Sequence, residues 1–491
     1  MPEEGRAAEF VRPPLKKVSD VCWEIEPSFK PGMRVPARVY ATKKLLEEMD
    51  VGVFEQITNV ACLPGIQKHA ICMPDGHWGY GFPIGGVAAF DTKTGVISPG
   101  GIGFDINCGM RLIRTNMVIE DIRPKLKELV DTLFKTIPAG VGARGAIKLT
   151  KAQLREIMLA GSKWAIENGY GWSEDLDHTE DYGVIKGADP EKVSAKAQSR
   201  GIEQLGTLGS GNHYLEVQYV ERIFDPELAK RWGIFQQGQI CVMIHCGSRG
   251  FGHQVGTDYL KVFGDAMKRY GITVRDRELA CAPFSSKEGQ DYFHAMACAA
   301  NSAFANRQAI GAMTRRCFEK VFNRRAEDMD MALIYDVAHN IAKVEQHDIN
   351  GKLIDVVMHR KGATRCFGPH RPELPAVYQP TGQPVIIGGS METGSFLLVG
   401  TEKAMSETFG STMHGSGRTM SRAKAKHTVR GSELQQQMHK RGIYVKSVTM
   451  SGLAEEAGLA YKDLNEVVET MEIAGVSRKV VSLKPLGNIK G

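Results

Sequence analysis

The segment Ser98–Arg111, with the sequence SPGGIGFDINCGMR, combines four glycines, one carboxylate and one thiol in fourteen residues. Asp105 and Cys108 are three positions apart, so a turn or short loop directs both side chains to one point. A thiolate beside a carboxylate is a poor hydrophobic pair and a good pair of metal ligands. Taken alone, the segment still favours a glycine-rich turn around a buried cysteine, because free cysteine is among the most buried residue types. The histidines further along the chain change that balance.

Three histidines accompany strand-like runs. His213 lies in LGSGNHYLE, His245 directly follows QICVMI, and His339 follows MALIYDVA. Each of them alone is more often an ordinary buried histidine than a ligand. Together with Asp105 and Cys108 they provide enough nitrogen, oxygen and sulfur donors for two metal ions that share the thiolate. Such a pair, about 3.5–4 Å apart, suits phosphoryl chemistry, and Zn²⁺, Mn²⁺, Co²⁺ and Fe²⁺ all fit these donors.

A second motif, STMHGSGRTMSR at residues 411–422, places small residues and two arginines after His414. If a helix begins near Gly417, Arg418 and Arg422 lie on one of its faces, and its free N–H groups suit phosphate. A histidine at such a loop is a candidate acid, base or nucleophile toward phosphorus. A glycine-rich turn leading into a solvated basic helix explains the same residues.

Three further features carry weaker signals. Asp75 and His77, in PDGHWG, form a candidate supporting pair, although such a triplet is more often a turn. The run GGSM at 388–391, followed by Ser395, is a small-residue loop without the lysine of a P-loop. Lys490 next to the C-terminus is normally frayed and without a role. Side chains able to read a base edge are Asn212, Glu216 and Asn340.

The composition is that of an ordinary globular protein. Of 491 residues, 42% are hydrophobic and 24% charged. We expect residues 1–20, which are charged and contain Pro13-Pro14, to be disordered. No internal repeat or linker follows, so residues 21–491 are predicted to form one α+β catalytic domain with mixed sheets, helical insertions and a central cleft where strand ends meet.

The net charge and the cysteine content limit the binding partners and the cellular compartment. A net charge of +6 permits an anionic partner without requiring one. Ten cysteines without a CxxC pair, behind a polar start, indicate a reduced intracellular protein of the cytoplasm, and also of the nucleus if the source is eukaryotic. No apolar run approaches the roughly 18 residues of a membrane helix, so we expect no membrane association.

Eight motifs, in this order along the chain, resemble the RtcB family of RNA-splicing ligases, most closely its archaeal and eukaryotic members. The likeness runs from about Trp23 to the C-terminus. The motifs are PGGIGFDINCGMR, LGTLGSGNHYLE, MIHCGSRG, YDVAHNIAK, HRKGATR, GGSME, HGSGR and IKG.

The resemblance implies a GTP- and Mn²⁺-dependent ligase that joins an RNA 3′-phosphate or 2′,3′-cyclic phosphate to a 5′-hydroxyl. The implied route passes through a guanylated histidine and an RNA-(3′)pp(5′)G intermediate, in tRNA splicing and RNA repair. RNA is the implied substrate. An archease-type activator and, in eukaryotes, a multi-subunit tRNA ligase complex are the implied partners.

The resemblance also implies residue roles. Asp105, Cys108 and His213 would bind one Mn²⁺, and Cys108, His245 and His339 the second, with His414 as the nucleophile. The implied guanylate pocket comprises Asn212, His213, Tyr214, Leu215, Glu216, His339, Asn340, Gly388, Gly389, Ser390, Met391, Ser395, His414, Gly415, Ser416, Gly417 and Lys490, with Tyr461 as a weaker candidate. Candidates for RNA phosphate contacts are Arg200, Arg249, Arg418 and Arg422.

Two positions depart from the family wording. Gly76 stands where some members have valine, and Glu392 stands where the guanylate loop usually has glycine. A carboxylate beside a phosphate pocket is unfavourable unless it points away or meets a cation. Every expected nucleophile and metal position is intact, so we expect an active enzyme.

Two other functions use the same residues. A binuclear metallophosphoesterase acting on RNA termini would use the metal ligands with water as the nucleophile. A non-catalytic RNA-binding scaffold would need neither the metal ligands nor a nucleophile. His414 and Lys490 favour the ligase, because a hydrolase needs no guanylate pocket.

Overall fold

The computed structural model describes residues 10–491, which form nineteen strands and fifteen α-helices. The strands are β1 Lys16–Lys17, β2 Cys22–Ile25, β3 Ala37–Tyr40, β4 Ala70–His77, β5 Ile84–Asp91, β6 Val96–Ile97, β7 Gly109–Val118, β8 Tyr214–Ile223, β9 Gln239–Cys246, β10 Ala282–Pro283, β11 Leu333–Ala338, β12 Asn340–Ile349, β13 Lys352–Lys361, β14 Ala363–Arg365, β15 Pro384–Gly388, β16 Ser395–Gly400, β17 Ser411–Met413, β18 Tyr444–Ser447 and β19 Ser477–Lys490. The helices are α1 Lys43–Glu48, α2 Val51–Val60, α3 Ile119–Ile122, α4 Leu126–Thr136, α5 Lys151–Ala160, α6 Ser162–Glu167, α7 Ala195–Ile202, α8 Pro226–Arg231, α9 Arg249–Arg269, α10 Lys287–Phe322, α11 Glu402–Thr408, α12 Arg422–Thr428, α13 Gly431–Lys440, α14 Met450–Glu455 and α15 Leu464–Ile473.

Two large mixed sheets carry the fold, which confirms the predicted α+β class. The first has the order β1-β2-β3-β4-β5-β13-β12, antiparallel except where β3 pairs with β4. The second has the order β11-β7-β9-β8-β19-β16-β15, with β18 parallel to β19. Two small sheets pair β6 with β10 and β14 with β17. Every residue of the central strand β9, QICVMIHC, is buried, as a continuous apolar run predicts.

The long helix α10 packs under the second sheet and reaches the loops at its edge. It begins at Ser286, whose hydroxyl accepts a hydrogen bond from the N–H of Gly289 at 3.1 Å. Its buried Arg307 donates to the carbonyl oxygens of Asn107 at 2.6 Å and Cys246 at 2.9 Å. The helix therefore holds two site loops together.

Residues 150–168 have the apolar spacing of one helix, but the structure divides them into α5 and α6. Gly161 lies between α5 and α6 with φ = 54°, a conformation that glycine adopts without a Cβ penalty. A Cβ at this position would lie 2.1 Å from the carbonyl oxygen of Gly183, so the break also admits a close backbone contact.

The N-terminal prediction needs a correction. Residues 1–9 of the predicted disordered segment lie outside the described residues. Its remainder is not disordered, because Phe10 and Leu15 pack against the largest apolar cluster and Lys16–Lys17 pairs with β2. Among the described residues, helices long and apolar enough to cross a membrane are absent.

Candidate metal centre and nucleotide cleft

Four neighbouring strand ends of the second sheet bring the predicted metal ligands together. Cys108 immediately precedes β7, His213 precedes β8, His245 is the penultimate residue of β9, and His339 follows β11. In the sheet, Met110 and Tyr214 both stand opposite His245. Residues more than two hundred positions apart therefore meet at one edge, as the strand-end pattern predicts.

The ligand atoms lie close together and are buried. The Sγ of Cys108 lies 3.3 Å from Nε2 of His213 and 3.2 Å from Nε2 of His245. The Nε2 of His245 also lies 3.2 Å from Nε2 of His339. Cys108, His213 and His245 form a group whose donor atoms all lie within 4.8 Å of one another. Asp105 adds a carboxylate oxygen 2.7 Å from Nε2 of His213.

The turn that joins Asp105 to Cys108 is fixed from several sides. The N–H of Cys108 donates to the carbonyl of Asp105 at 3.0 Å, closing a tight turn. Asn107, inside it, has φ = 55° and donates from its side chain to the carbonyl of Ala300 at 2.6 Å. The side chain of Asn340 donates to the carbonyl of Asp105 at 3.2 Å. Carboxylate and thiol are therefore held toward the same point.

A hydrogen bond at Nδ1 sets the tautomer of His245. Nδ1 of His245 lies 3.0 Å from the carbonyl oxygen of Asn212, so it carries the proton and leaves the Nε2 lone pair facing Cys108. His213 has partners for both tautomers. Its Nδ1 lies 3.0 Å from the carbonyl of Leu208 and 3.2 Å from a guanidinium nitrogen of Arg249. The first partner leaves Nε2 free for a cation, whereas the second requires Nε2 to donate to Asp105.

The protonation states fit a metal site. Burial raises the pKa of the Cys108 thiol well above its ordinary value, and Asp105 raises it further. Burial lowers the pKa of His245 and of His339 well below the ordinary value, so both imidazoles are neutral ligands. Burial alone would raise the pKa of Asp105, but His213 and Arg249 outweigh it and hold that pKa below its usual range. A bound cation must displace the proton of Cys108.

His414 faces this cluster from the other side. It follows β17, and its ring centroid lies 5.0 Å from that of His339. One carboxylate oxygen of Asp75, in β4, accepts from Nδ1 of His414 at 2.6 Å, from its backbone N–H at 3.0 Å and from the N–H of Gly415 at 3.2 Å. With Nδ1 donating, the lone pair of His414 is at Nε2.

Asp75 is the partner that sequence reasoning assigned to the wrong histidine. Nδ1 of His77 contacts the backbone oxygen of Asp75 at 2.9 Å, whereas the carboxylate of Asp75 faces His414. Burial tends to raise the pKa of Asp75, but His414 outweighs it and the pKa is lowered. The two residues are 339 positions apart, so no local pattern links them.

A cleft of about 1080 Å³ extends from the cluster. It brings together most of the residues that the resemblance implies. Those lining it are Asp105, Cys108, Asn212, Tyr214, His245, His339, Asn340, Gly388, Gly389, Ser390, Met391, His414, Gly415, Ser416, Gly417, Arg418, Arg422, Tyr461 and Lys490.

Four of the implied pocket residues do not line the cleft. His213 lies behind Cys108, and Leu215 packs its side chain into an apolar cluster, because successive residues of β8 face opposite sides of the sheet. Glu216 accepts from the side chain of Gln218 at 2.6 Å, and that amide also donates to Ser395 at 3.0 Å. Burial raises the pKa of Glu216 to about 7. Glu216 and Ser395 therefore belong to a buried polar network.

The C-terminus is part of the site, so its expected fraying is wrong. β19 pairs Lys490 with Tyr214, and the Lys490 ammonium lies 5.3 Å from the Tyr214 ring centroid. It also lies 3.7 Å from a carboxylate oxygen of Glu456. Burial lowers the pKa of Lys490. The chain end is thus held in the sheet with its cation facing the cleft.

The four arginines proposed for RNA fall into different places. Arg418 donates to the carbonyl of Glu455 at 2.7 Å and to the carboxylate of Glu456 at 3.3 Å. Arg422, about half exposed, lies 3.4 Å from the same carboxylate. Arg249 donates its backbone N–H to Asp105 at 3.1 Å, and Arg200 lies exposed on α7 outside the cleft lining. Glu456, which anchors two of these cations, carried no sequence signal.

The two departures from the family wording each have a structural context. Glu392 forms an ion pair with Arg441 and accepts the N–H of Gly458 at 2.6 Å, so its charge meets a cation. At Gly76, a Cβ would lie 2.4 Å from the Sγ of Cys72, so a side chain there would displace its neighbours.

The fold and site together define an α+β enzyme with a candidate metal centre at the floor of a large cleft. A sequence profile of the family described as tRNA-splicing ligase RtcB matches residues 56–491. The chain therefore belongs to the RtcB family.

Relatives from archaea agree over nearly the full length. The tRNA-splicing ligase RtcB of Archaeoglobus fulgidus is 55% identical over 477 residues, which cover 97% of this chain and 99% of that protein. The protein of the same name from Thermococcus kodakarensis is 54% identical over 479 residues, with the same coverage. That of Methanococcus maripaludis is 53% identical over 477 residues, again with 97% and 99% coverage.

Proposed function

We propose that this protein is a GTP- and Mn²⁺-dependent RNA ligase that joins 3′-phosphate or 2′,3′-cyclic phosphate ends to 5′-hydroxyl ends in tRNA splicing and RNA repair. Family membership supports RNA ligation. One observation supports the finer chemistry: His414, held by Asp75, presents Nε2 to the cleft with its ring centroid 5.0 Å from that of His339.

His414 is the proposed nucleophile toward the α-phosphorus of GTP. Its Nε2 lone pair forms the N–P bond, and pyrophosphate leaves with the electrons of the broken P–O bond. The carboxylate of Asp75 accepts a hydrogen bond from Nδ1–H of His414 during the whole reaction. It also stabilises the positive charge that develops on the imidazole ring. The proton remains on Nδ1, so the phosphoramidate forms without a separate base.

Glycines on the cleft wall let its own segments pack closely. A Cβ at Gly388 would lie 2.4 Å from the hydroxyl of Tyr214, and one at Gly389 would lie 2.2 Å from the carbonyl of Gly394. Ser416 has a buried hydroxyl without a hydrogen-bond partner among the described residues. The unpaired hydroxyl of Ser416 suits a ligand with a polar group, such as the phosphate of a guanylate.

The donor set fits two divalent cations. Asp105, Cys108 and His213 would hold one, and Cys108, His245 and His339 the other, with an imidazole, carboxylate and thiolate set that suits Mn²⁺. The Nδ1 hydrogen bond of His245 to a backbone carbonyl is the usual support for a metal-bound imidazole. When bound, such cations neutralise phosphate charge and orient the reacting oxygens.

Ligation then proceeds from the guanylated form of His414. An oxygen of the RNA 3′-phosphate attacks the histidine-bound phosphorus, the N–P bond breaks and His414 regains its lone pair. The 5′-hydroxyl attacks the activated 3′-phosphorus, and GMP leaves. Cyclic ends are first hydrolysed to 3′-phosphates. Arg422 and Lys490 are placed to neutralise phosphate charge in the cleft.

The proposal extends to setting and partners. Every cysteine in the described part of the chain is a free thiol, which supports a reducing compartment such as the cytoplasm. RNA with cleaved ends is the proposed substrate. An archease-type activator, and a tRNA ligase complex together with a nuclear pool in a eukaryotic source, belong to the proposal through the resemblance.

Labelling with GTP tests the proposal. Incubation with GTP carrying an α-phosphate label and Mn²⁺ should leave acid-labile, alkali-stable label on the protein, and His414→Ala should abolish it. A metallophosphoesterase would instead release phosphate from RNA ends without labelling the protein. Wild-type protein that loads metal, cleaves RNA phosphates and takes no label would reject the ligase.

A further inference from the structure

Residues 417–461, which we call the basic lobe, form one wall of the cleft. The lobe contains α12, α13, β18 and α14 and has its own apolar cluster. That cluster comprises Leu434, Met438, Ile443, Val445, Leu453 and Ala457, together with Met391 of the adjacent loop. The lobe is therefore a packed unit that presents a fixed outer surface beside the site.

The positive charge of the chain is concentrated there. The lobe has eight lysines and arginines and three acidic residues, a net charge of +5, while the whole chain carries +6. The remaining residues are therefore close to neutral. A surface of this kind attracts a polyanion to one side of the molecule.

Seven of the eight cations of the lobe fall into two groups, and the eighth, Lys446, pairs with Asp131 of α4. Arg418, Arg422, Lys426 and Arg441 pair with Glu456, Glu455 or Glu392 near the cleft. Lys424 and Lys440 are exposed and have no carboxylate within 4.0 Å in the part of the chain that the structure describes. Arg430 is 83% exposed and pairs only with Glu433, itself 59% exposed, which is a weak interaction.

We propose that the outer face of the basic lobe, at Lys424, Arg430 and Lys440, docks the RNA backbone beyond the end that the cleft holds. This inference rests on the proposed RNA substrate. Arg422 both lines the cleft and begins α12, and Lys424 and Arg430 follow it within eight residues of the chain. The ten residues of α13 span about 15 Å, long enough to follow several phosphates. Contacts of this kind fix orientation without reading sequence.

Two matched triple variants test the docking. K424Q/R430Q/K440Q removes three charges from the lobe, and K43Q/K163Q/K268Q removes three from lysines that are 83%, 61% and 82% exposed on other helices. Binding is measured by fluorescence anisotropy with two probes, a stem-loop RNA and a short single-stranded RNA, each ending in a 3′-phosphate. Salt is varied between about 50 and 200 mM.

The lobe variant should bind the stem-loop about tenfold more weakly, with a salt slope reduced by about 2–3, because three phosphate contacts are lost. It should bind the short RNA like the wild type, and the control triple should bind both probes like the wild type. Unchanged binding of the stem-loop would overturn the proposal, and so would an equal loss on both probes, which would place these residues at the joined end.

A protein partner is the alternative occupant of the outer face of the basic lobe. Retention of normal RNA affinity, together with loss of a protein that the wild type holds in cell extract, would assign the face to that partner and overturn RNA docking. Labelling of His414 by GTP, measured on the same proteins, reads the proposed function separately. Wild-type protein without label would reject the ligase chemistry while the binding data still decide whether the lobe docks RNA.

Discussion

A single carboxylate oxygen of Asp75 accepts both the ring Nδ1–H and the backbone N–H of His414, at 2.6 and 3.0 Å. The residue bonded twice in this way has both its ring orientation and its tautomer fixed before any ligand arrives. Since the Nε2 lone pair is the reactive group in the proposed chemistry, Asp75 acts as a positioning residue for it.

Asp75→Asn should slow guanylation of His414 by roughly 10²- to 10⁴-fold, because the amide can neither stabilise the charged ring nor hold the tautomer reliably. Label incorporation over time, at saturating GTP, measures the rate. Metal content should remain that of the wild type, since Asp75 contacts no candidate ligand other than through His414. A variant labelled at the wild-type rate would show that the contact has no role in the chemistry.

The two halves of the site differed in how far the sequence could predict them. His245 and His339 were predictable because each adjoins a buried apolar run and neighbouring strands of one sheet end at one edge, and Cys108 was predictable because it lies three positions from Asp105 in a glycine-rich segment. The contact of Asp75 with His414 was not predictable, because it joins β4 of the first large sheet to the end of β17 in the small β14–β17 sheet. Sequence patterns report the partners of a strand poorly, since pairing depends on the whole topology.

Glu456 illustrates a second kind of residue that sequence reasoning missed. It is buried against Arg418, Arg422 and Lys490, yet in the sequence it is one of two glutamates in an ordinary helical stretch. Its importance arises only when three cations from distant segments converge on it. Conversely, Leu215 carried a motif signal although its side chain belongs to the core, because a motif does not distinguish the two faces of a strand.

Cys108→Ala should remove both cations, because its thiolate is the donor common to both proposed ligand sets. Metal affinity should fall by at least about 100-fold. The measurement is the amount of Mn²⁺ bound per chain after dialysis against buffers of fixed free Mn²⁺ concentration. Cys62→Ser is the matched control, since the Cys62 thiol donates to the carbonyl of Thr58 away from the cleft. Retention of one full equivalent by the Cys108 variant would contradict a shared thiolate.

Metal affinity should rise with pH. Burial raises the pKa of Cys108, so the metal-free protein carries a protonated thiol at neutral pH and must release that proton on binding. Burial lowers the pKa of His245 and His339, so those rings are already neutral and release none. One released proton gives about a tenfold gain in affinity per pH unit. Competition with a chelator of known pH dependence measures it, and a flat profile would show that a thiolate is present before binding.

Glu392 should be tolerated only while Arg441 is present. Arg441→Ala leaves the carboxylate without its cation beside the guanylate loop, so the KM for GTP in the guanylation reaction should rise roughly tenfold, equivalent to about 1.4 kcal/mol. The double variant Glu392→Ala/Arg441→Ala should return toward the wild-type KM, because the unpaired charge is gone. A double variant as impaired as Arg441→Ala alone would show that Arg441 acts directly on the nucleotide.

A buried ion network supports the backbone next to His339. Lys343 lies 2.7 Å from Glu180 and 2.5 Å from Asp181, and Arg365 lies 3.0 Å from each carboxylate. Glu180 also accepts the backbone N–H of Ala338 at 2.8 Å, the residue before His339. The network therefore links two buried cations to the position of a candidate metal ligand.

Lys343→Met should destabilise the protein by about 3–5 kcal/mol, because the buried Glu180 and the partly buried Asp181 are left to share the single cation of Arg365. Thermal unfolding of the metal-free protein measures this loss, and Lys352→Met, at an exposed position at the start of β13, is the matched control. Under conditions where the variant is folded, its bound metal should also fall, since the Ala338 backbone loses a firmly placed acceptor beside His339. A variant with wild-type stability and reduced metal would support the positioning of His339 and contradict the expected loss of stability. A destabilised variant with full metal content would support the loss of stability and contradict the positioning role.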